Sequence, residues 1–181
     1  MKYMFASDIH GSAYYANLVA EKFEESKAKK LILLGDLLYH GPRNDLPRDY
    51  APKRVIEILN RYKDFIFAVR GNCDSEVDQM VLNFPLMADY AFFSLNDADI
   101  YASHGHVYSP ENLLPMQPGS SFIFGHIHLP IAEKRGEYFI LNPGSAALPK
   151  GGNPPSYAIL EGKRFQILTF EGEIIKETDI G

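Results

Sequence analysis

The sequence predicts an α/β fold, with βαβ units in its first half and mostly short strands in its second. Two observations carry this prediction. Short apolar runs without polar alternation occur at 3–7, 31–34 and 65–69, the pattern of strands buried on both faces. Between them lie stretches of helical period. Residues 13–27 place Ala16, Val19, Ala20 and Phe23 on one side and Glu21, Lys22, Glu24 and Glu25 opposite or flanking. Residues 52–62 do the same with Val55, Ile56 and Leu59, and Pro52 suits the first helical position. Strand, helix, strand, helix, strand implies crossover connections and a parallel sheet. After about residue 85 the texture changes. Runs at 92–95, 100–103, 121–125, 138–142, 157–160 and 165–170 are strand-like, with turn signals at Asn96-Asp97, Arg135-Gly136 and Glu161-Gly162.

With 181 residues and no repeat, low-complexity tract or Gly/Ser linker, the chain is expected to form a single domain, residues 1–181. Its 18 basic against 23 acidic residues leave a net charge of -5, so no basic face for nucleic acid is indicated. No apolar run is long enough for a membrane span, and the stretch before Asp8 is too short for a signal-peptide core. The lone Cys73 excludes an intrachain disulfide, and the expected location is cytoplasmic.

Five apolar runs each end in a side chain able to bind metal. Asp8 and His10 follow the first run, Asp36 the second and Asn72 the third; His104 follows 100–103, and His126 with His128 follows 121–125. In open α/β sheets ligands bind at the carboxyl ends of strands, so these side chains are expected to converge on one rim. Asp8-Ile9-His10 and His126-Ile127-His128 each space two donors two residues apart, which on extended backbone points both the same way. Each piece alone has an ordinary reading as a turn, a helix cap or a polar histidine; the shared strand-end placement does not. Seven oxygen and nitrogen donors exceed the four of a structural zinc site and suffice for two ions. Asp36, central in the set, is the natural bridge. Two such ions suit phosphoryl displacement. Carboxylate and imidazole without thiolate fit manganese, iron, nickel or zinc, and spacing does not choose among them.

Asp8-Ile9-His10, Gly35-Asp36, Gly71-Asn72-Cys73-Asp74, His104-Gly105-His106 and Gly125-His126-Ile127-His128, in this order, resemble the calcineurin-like metallophosphoesterase superfamily. The stretches 39–44, 69–74 and 142–145 are similar, more narrowly, to small bacterial YfcE-type phosphodiesterases. The resemblance spans Asp8 to about Gly152. It implies a four-layer α/β/β/α sandwich of two mixed sheets flanked by helices, with a dinuclear metal site. It implies one ion held by Asp8, His10, Asp36 and His128 and another by Asp36, Asn72, His104 and His126, manganese being the metal it suggests. It also suggests oligomers, without fixing their number.

The expected function is hydrolysis of small phosphodiesters through a metal-bound hydroxide, with Asp36, Asn72 and His106 as catalytic residues. The alternatives are a phosphomonoesterase or nuclease on the same site, or a scaffold resembling the retromer subunit of this superfamily. The cations near the motifs, Arg43, Arg70 and Lys150, are few for a monoester, and the net charge argues against a nuclease tracking long chains. A scaffold would be expected to have lost donors, and none of the seven is missing. Many superfamily members carry histidine where this chain has Cys73, a weak hydrogen-bond donor, so a strong protein general acid is not expected. His40 and Arg43 sit in a Gly/Pro-rich loop after Asp36, where Arg43 suits a phosphate oxygen. Lys150 with Gly151-Gly152 suggests a rim turn, Asn142 an orienter of a ligand histidine, and Asp74 either a supporting group or a helix N-cap. Tyr90, Phe92 and Phe93 cluster near an expected edge, with core packing the favoured role over a subunit contact.

Overall fold

The computed structural model describes residues 1–181. Its first half runs β1 (Lys2–Ala6), α1 (Ala13–Ser26), β2 (Lys30–Leu33), α2 (Pro52–Asn60), β3 (Ile66–Ala68) and α3 (Glu76–Val81). Its second half is β4 (Tyr90–Leu95), β5 (Ala98–Ser103), β6 (Ser121–Ile123), β7 (Pro130–Arg135), β8 (Tyr138–Pro143), β9 (Ser156–Glu161), β10 (Arg164–Thr169) and β11 (Ile174–Asp179). These strands form two mixed sheets, ordered β11-β10-β9-β1-β2-β3 and β4-β5-β6-β8-β7.

In the first sheet β1, β2 and β3 are parallel, with Phe5 opposite Ile32 and Ile32 opposite Phe67, while β9 runs antiparallel to β1. The apolar runs are continuous because both sheet faces are covered. Met4, Ala6, Leu31 and Leu33 pack under the helices against Ala16, Val19 and Phe23 of α1 and Val55, Ile58 and Leu59 of α2. Tyr3, Phe5, Ile32 and Leu34 alternate to the other face and meet Ile100, Ile123 and Leu141 of the second sheet. In α2, Ile58 is buried and Ile56 only partly so, a small rotation of the face expected from the sequence. Ser12 caps α1 by accepting from Tyr15 N–H at 3.2 Å, and Lys27, at φ 55°, ends it in the left-handed conformation.

In the second sheet β5, β6 and β8 are parallel, and β4 and β7 are antiparallel edges. Its outer face buries Phe122, Phe124 and Ile140 beneath Tyr108, Leu113 and Met116. Those covering residues lie in irregular chain between β5 and β6, and no helix follows α3. The two mixed sheets match the expected architecture; the fourth layer is irregular chain where helix was expected. The aromatic cluster also divides. Phe93 packs into the inter-sheet core, whereas Tyr90 and Phe92 are 49 % and 50 % exposed, because alternate residues of an edge strand face opposite ways. No helix is long and apolar enough to cross a membrane.

Candidate metal centre

The parallel strands of both sheets end at one rim, and all seven expected donors gather there. Asp8, His10 and His128 present ligand atoms within 4.8 Å of one another, as do Asp8, Asp36 and His104. Asn72 Oδ1 lies 3.1 Å from His104 Nε2. The His126 ring sits 5.0 Å from that of His104, centroid to centroid, and its backbone N–H donates to Asp8 Oδ2 at 3.1 Å.

Three imidazoles are oriented by backbone carbonyls. His10 Nδ1 lies 2.8 Å from the Tyr39 carbonyl, His104 Nδ1 2.7 Å from that of Leu34, and His128 Nδ1 2.5 Å from that of Leu148. A carbonyl only accepts, so Nδ1 carries the proton in each and Nε2 of the neutral ring turns a lone pair inward. Those lone pairs face carboxylates. His128 Nε2 is 3.1 Å from Asp8 Oδ1, and His104 Nε2 is 3.4 Å and His10 Nε2 3.6 Å from Asp36 Oδ2. His10 Nε2 and His128 Nε2 are themselves 3.4 Å apart. Asp8 Oδ1 is fully buried and accepts no hydrogen bond. Acceptors aimed at acceptors in a buried pocket demand positive charge between them, and oxygen with imidazole nitrogen is the donor set of a borderline divalent cation. The residues present therefore fit the metals expected of them.

The titration behaviour follows the same demand. Burial alone would raise the Asp8 carboxyl, but the imidazoles of His10 and His128 beside it hold it well below the carboxylate range. Burial would lower His104, yet the Asp36 carboxylate raises it to about 9, and Asp8 raises His10 in the same way. Burial, reinforced by His104, lowers both His106 and His126. Burial and the neighbouring Asp36 push the Cys73 thiol up to about 12.

The backbone reaches this geometry through left-handed conformations. Nine non-glycine residues have positive φ, and five are donors: Asp8 (58°), His10 (49°), Asp36 (55°), His126 (65°) and His128 (61°). The paired donors are thus not on extended backbone, as their spacing suggested; each pair points inward because both its members are left-handed. Such conformations are costly for these residues and concentrate at functional sites. They are held by cross-loop bonds, with Asp8 N–H donating to Gly35 O at 3.1 Å and His10 N–H to Asp36 O at 2.8 Å. Two glycines permit the approach. A Cβ on Gly35 would lie 2.7 Å from Gly71 Cα, and one on Gly71 would strike Asp36.

Supporting groups lie behind the donors. Asp74 is no helix cap: α3 is capped by Ser75, in a capping box with Asp78, while the buried Asp74 carboxylate accepts from the backbone N–H groups of Asp36, Leu37 and Gly71. Burial pushes it up to about 6 against the pull of those donors. Asn142 does not touch an imidazole; its Nδ2 donates to Gly125 O at 2.8 Å and its Oδ1 accepts from Gly144 N–H, fixing the backbone just before His126. Ser145, which the residue pattern marked only as part of a motif, donates from Oγ to Asp8 O at 3.0 Å.

A cleft of about 440 Å³ opens over His10, Asp36, Asn72, His126 and His128. Arg43 and Lys150 line it and are exposed, and Cys73 forms part of its wall. Arg70 is not in the cleft but is paired with Asp89, its Nε donating at 3.0 Å. His40 stands edge-on between Tyr39 and Tyr50 and does not line the cleft either. His106 sits at the margin, its ring 5.4 Å from that of His104 and 6.4 Å from that of His126, with Nδ1 buried and unpartnered.

The chain is 49% identical over 175 residues to the phosphodiesterase YfcE of Escherichia coli, covering 97% of this chain and 95% of that one. A solved structure of the E. coli phosphoesterase YfcE superposes with a TM-score of 0.98 at 48% identity over the full length of both chains. Vps29 from Entamoeba histolytica shares the fold at a TM-score of 0.65 and 18% identity, again over both chains entire. The model of the calcineurin-like phosphoesterase superfamily domain matches residues 1–164. With the family model covering most of the sequence and a relative at nearly half identity, this chain belongs to the calcineurin-like phosphoesterase superfamily.

Proposed function

We propose that this chain is a metal-dependent phosphodiesterase that hydrolyses small phosphodiesters at a dinuclear centre, with manganese the favoured ion. The observation that supports it most is the inward-facing set of Nε2 lone pairs and carboxylate oxygens around Asp8 and Asp36. Its likeness to a phosphodiesterase supports the substrate class. In this reading Asp8, His10, Asp36 and His128 hold one ion, and Asp36, Asn72, His104 and His126 the other. Divalent ions so held supply Lewis acidity toward phosphoryl oxygens and make a water molecule acidic enough to attack phosphorus.

The chain's own groups have distinct tasks. Asp36 Oδ1 is taken by the Cys73 backbone N–H at 2.8 Å, which leaves Oδ2, within 3.6 Å of both His10 and His104, as the oxygen Asp36 would offer to a cation. Asn72 offers its carbonyl oxygen beside His104 and turns its amide toward Cys73 Sγ at 3.3 Å. Arg43 and Lys150 attract the phosphodiester anion into the cleft. His106, kept neutral by burial and by His104, retains an N–H with which to stabilise charge developing on the departing oxygen.

Two cleft cations and a net charge of -5 favour a singly charged small diester over a monoester dianion or a long nucleic acid. The seven donors speak against a scaffold role. The lone, unpaired Cys73 favours a cytoplasmic site of action. The deciding experiment is hydrolysis of bis(p-nitrophenyl) phosphate by chelator-stripped protein with and without added manganese, paired with elemental analysis. Turnover restored by manganese at two ions per chain is expected; folded protein inactive with every divalent ion would overturn the reading.

A further inference from the structure

A second cavity, of about 340 Å³, lies against the metal centre, and the proposed chemistry leaves it unused. Ile127, held between His126 and His128, lines both this cavity and the cleft. Phe124 and Ile131 complete an apolar floor on the outer face of the second sheet, where irregular chain replaces a helical layer. Gly105, between His104 and His106, forms part of the wall, so the cavity adjoins the histidine motifs of two strand ends.

The rim chemistry restricts the occupant. Ser109 Oγ donates to Glu111 Oε2 at 3.0 Å, and Arg135 donates to Glu133 at 2.8 Å while lying 4.0 Å from Glu111. The cation at the mouth is therefore already neutralised, and two carboxylates remain for one guanidinium. A second anionic group has nothing to pair with there, whereas an uncharged apolar ring would cover the half-buried Ile127 and Ile131 without stranding a polar group.

We infer that this cavity is a specificity subsite that binds one ester arm of the substrate, an uncharged ring-bearing alcohol, while the phosphoryl group occupies the adjoining cleft. This rests on the phosphodiesterase reading and narrows it: the preferred substrates are small diesters with at least one apolar ring, and diesters with two small alkyl arms are poor ligands. Ile131, half-buried on β7 and not itself a donor although it follows His128 closely, is the residue through which the subsite is separable from the chemistry.

The test uses manganese-loaded protein and two ligands, bis(p-nitrophenyl) phosphate as substrate and dimethyl phosphate as competitive inhibitor. Ile131→Trp fills the cavity and Ile131→Gln makes its floor polar. Either is expected to raise KM for the aryl diester about tenfold, the scale of losing part of one ring's apolar burial, with kcat and the Ki of dimethyl phosphate within about twofold of wild type. The retained kcat and dimethyl phosphate binding serve as the folding control, and the second variant covers failure of the first. An unchanged KM in a variant that keeps kcat overturns the subsite, as does an equal loss of affinity for both ligands. A wild-type chain without turnover overturns instead the phosphodiesterase reading beneath it.

Discussion

The carboxylate of Asp74 lies 2.7 Å from the backbone nitrogen of Asp36, which donates to it, and the same carboxylate accepts from Leu37 N at 2.9 Å and Gly71 N at 2.7 Å. One buried side chain thereby pins the loops that follow two different strands. Asp74→Asn keeps the shape but replaces one acceptor oxygen with a donor facing N–H groups. The expected result is a loss of about 1–3 kcal/mol in urea denaturation and about 10–100-fold weaker manganese binding by calorimetry. Unchanged metal affinity would show that Asp74 supports the fold without positioning Asp36.

Asp36 Oδ2 lies within 3.6 Å of both His10 Nε2 and His104 Nε2, the position the proposed two-ion reading requires of a shared ligand. Asp36→Ala is expected to abolish diester hydrolysis and to leave fewer than two ions per chain by elemental analysis. Retention of both ions would contradict the bridging role.

Asn142 is fully buried, and both ends of its amide are occupied by backbone groups at the ends of β6 and β8. Asn142→Leu strands Gly144 N–H away from water and leaves Gly125 O with only the Ile127 N–H, at 2.7 Å. A loss of about 1–3 kcal/mol is expected in chemical denaturation, the usual cost of unpaired buried polar groups. A change below a few tenths would mean that the loop re-pairs these groups on its own.

On the proposed reading, the position of Cys73 governs leaving-group protonation. Its thiol lines the cleft but donates weakly, so rates should fall steeply as the leaving-group alcohol becomes less acidic. Cys73→His places a stronger donor there and is expected to flatten that dependence across a series of p-nitrophenyl, phenyl and alkyl esters. Identical slopes for the two proteins would exclude a role for this position.

The pattern of apolar runs ending in donors made the sheet cores and the rim legible, because a strand buried on both faces and a metal-binding side chain both leave strong compositional marks. The strands β7 and β11 left none. Pro-Ile-Ala-Glu-Lys-Arg and Ile-Ile-Lys-Glu-Thr-Asp are edges whose largely polar residues guard against further pairing, so they read as loop. The left-handed turns at Asp8, His10, Asp36, His126 and His128 were equally silent. Neither aspartate nor histidine announces positive φ as glycine does, and only the pairing of neighbouring loops imposes it. The role of Asp74 was hidden for a related reason, since its partners are backbone groups whose position depends on tertiary structure.

Asp8, Asp36 and Asn72 leave the first sheet, whereas His104, His126 and His128 leave the second. An ion chelated across that boundary is a rivet through both plates of the sandwich. Prying the plates apart would release the rivet, and by mass action filling the holes would brace the whole body against unfolding. On the proposed reading, loading the centre and stiffening the scaffold would be one event.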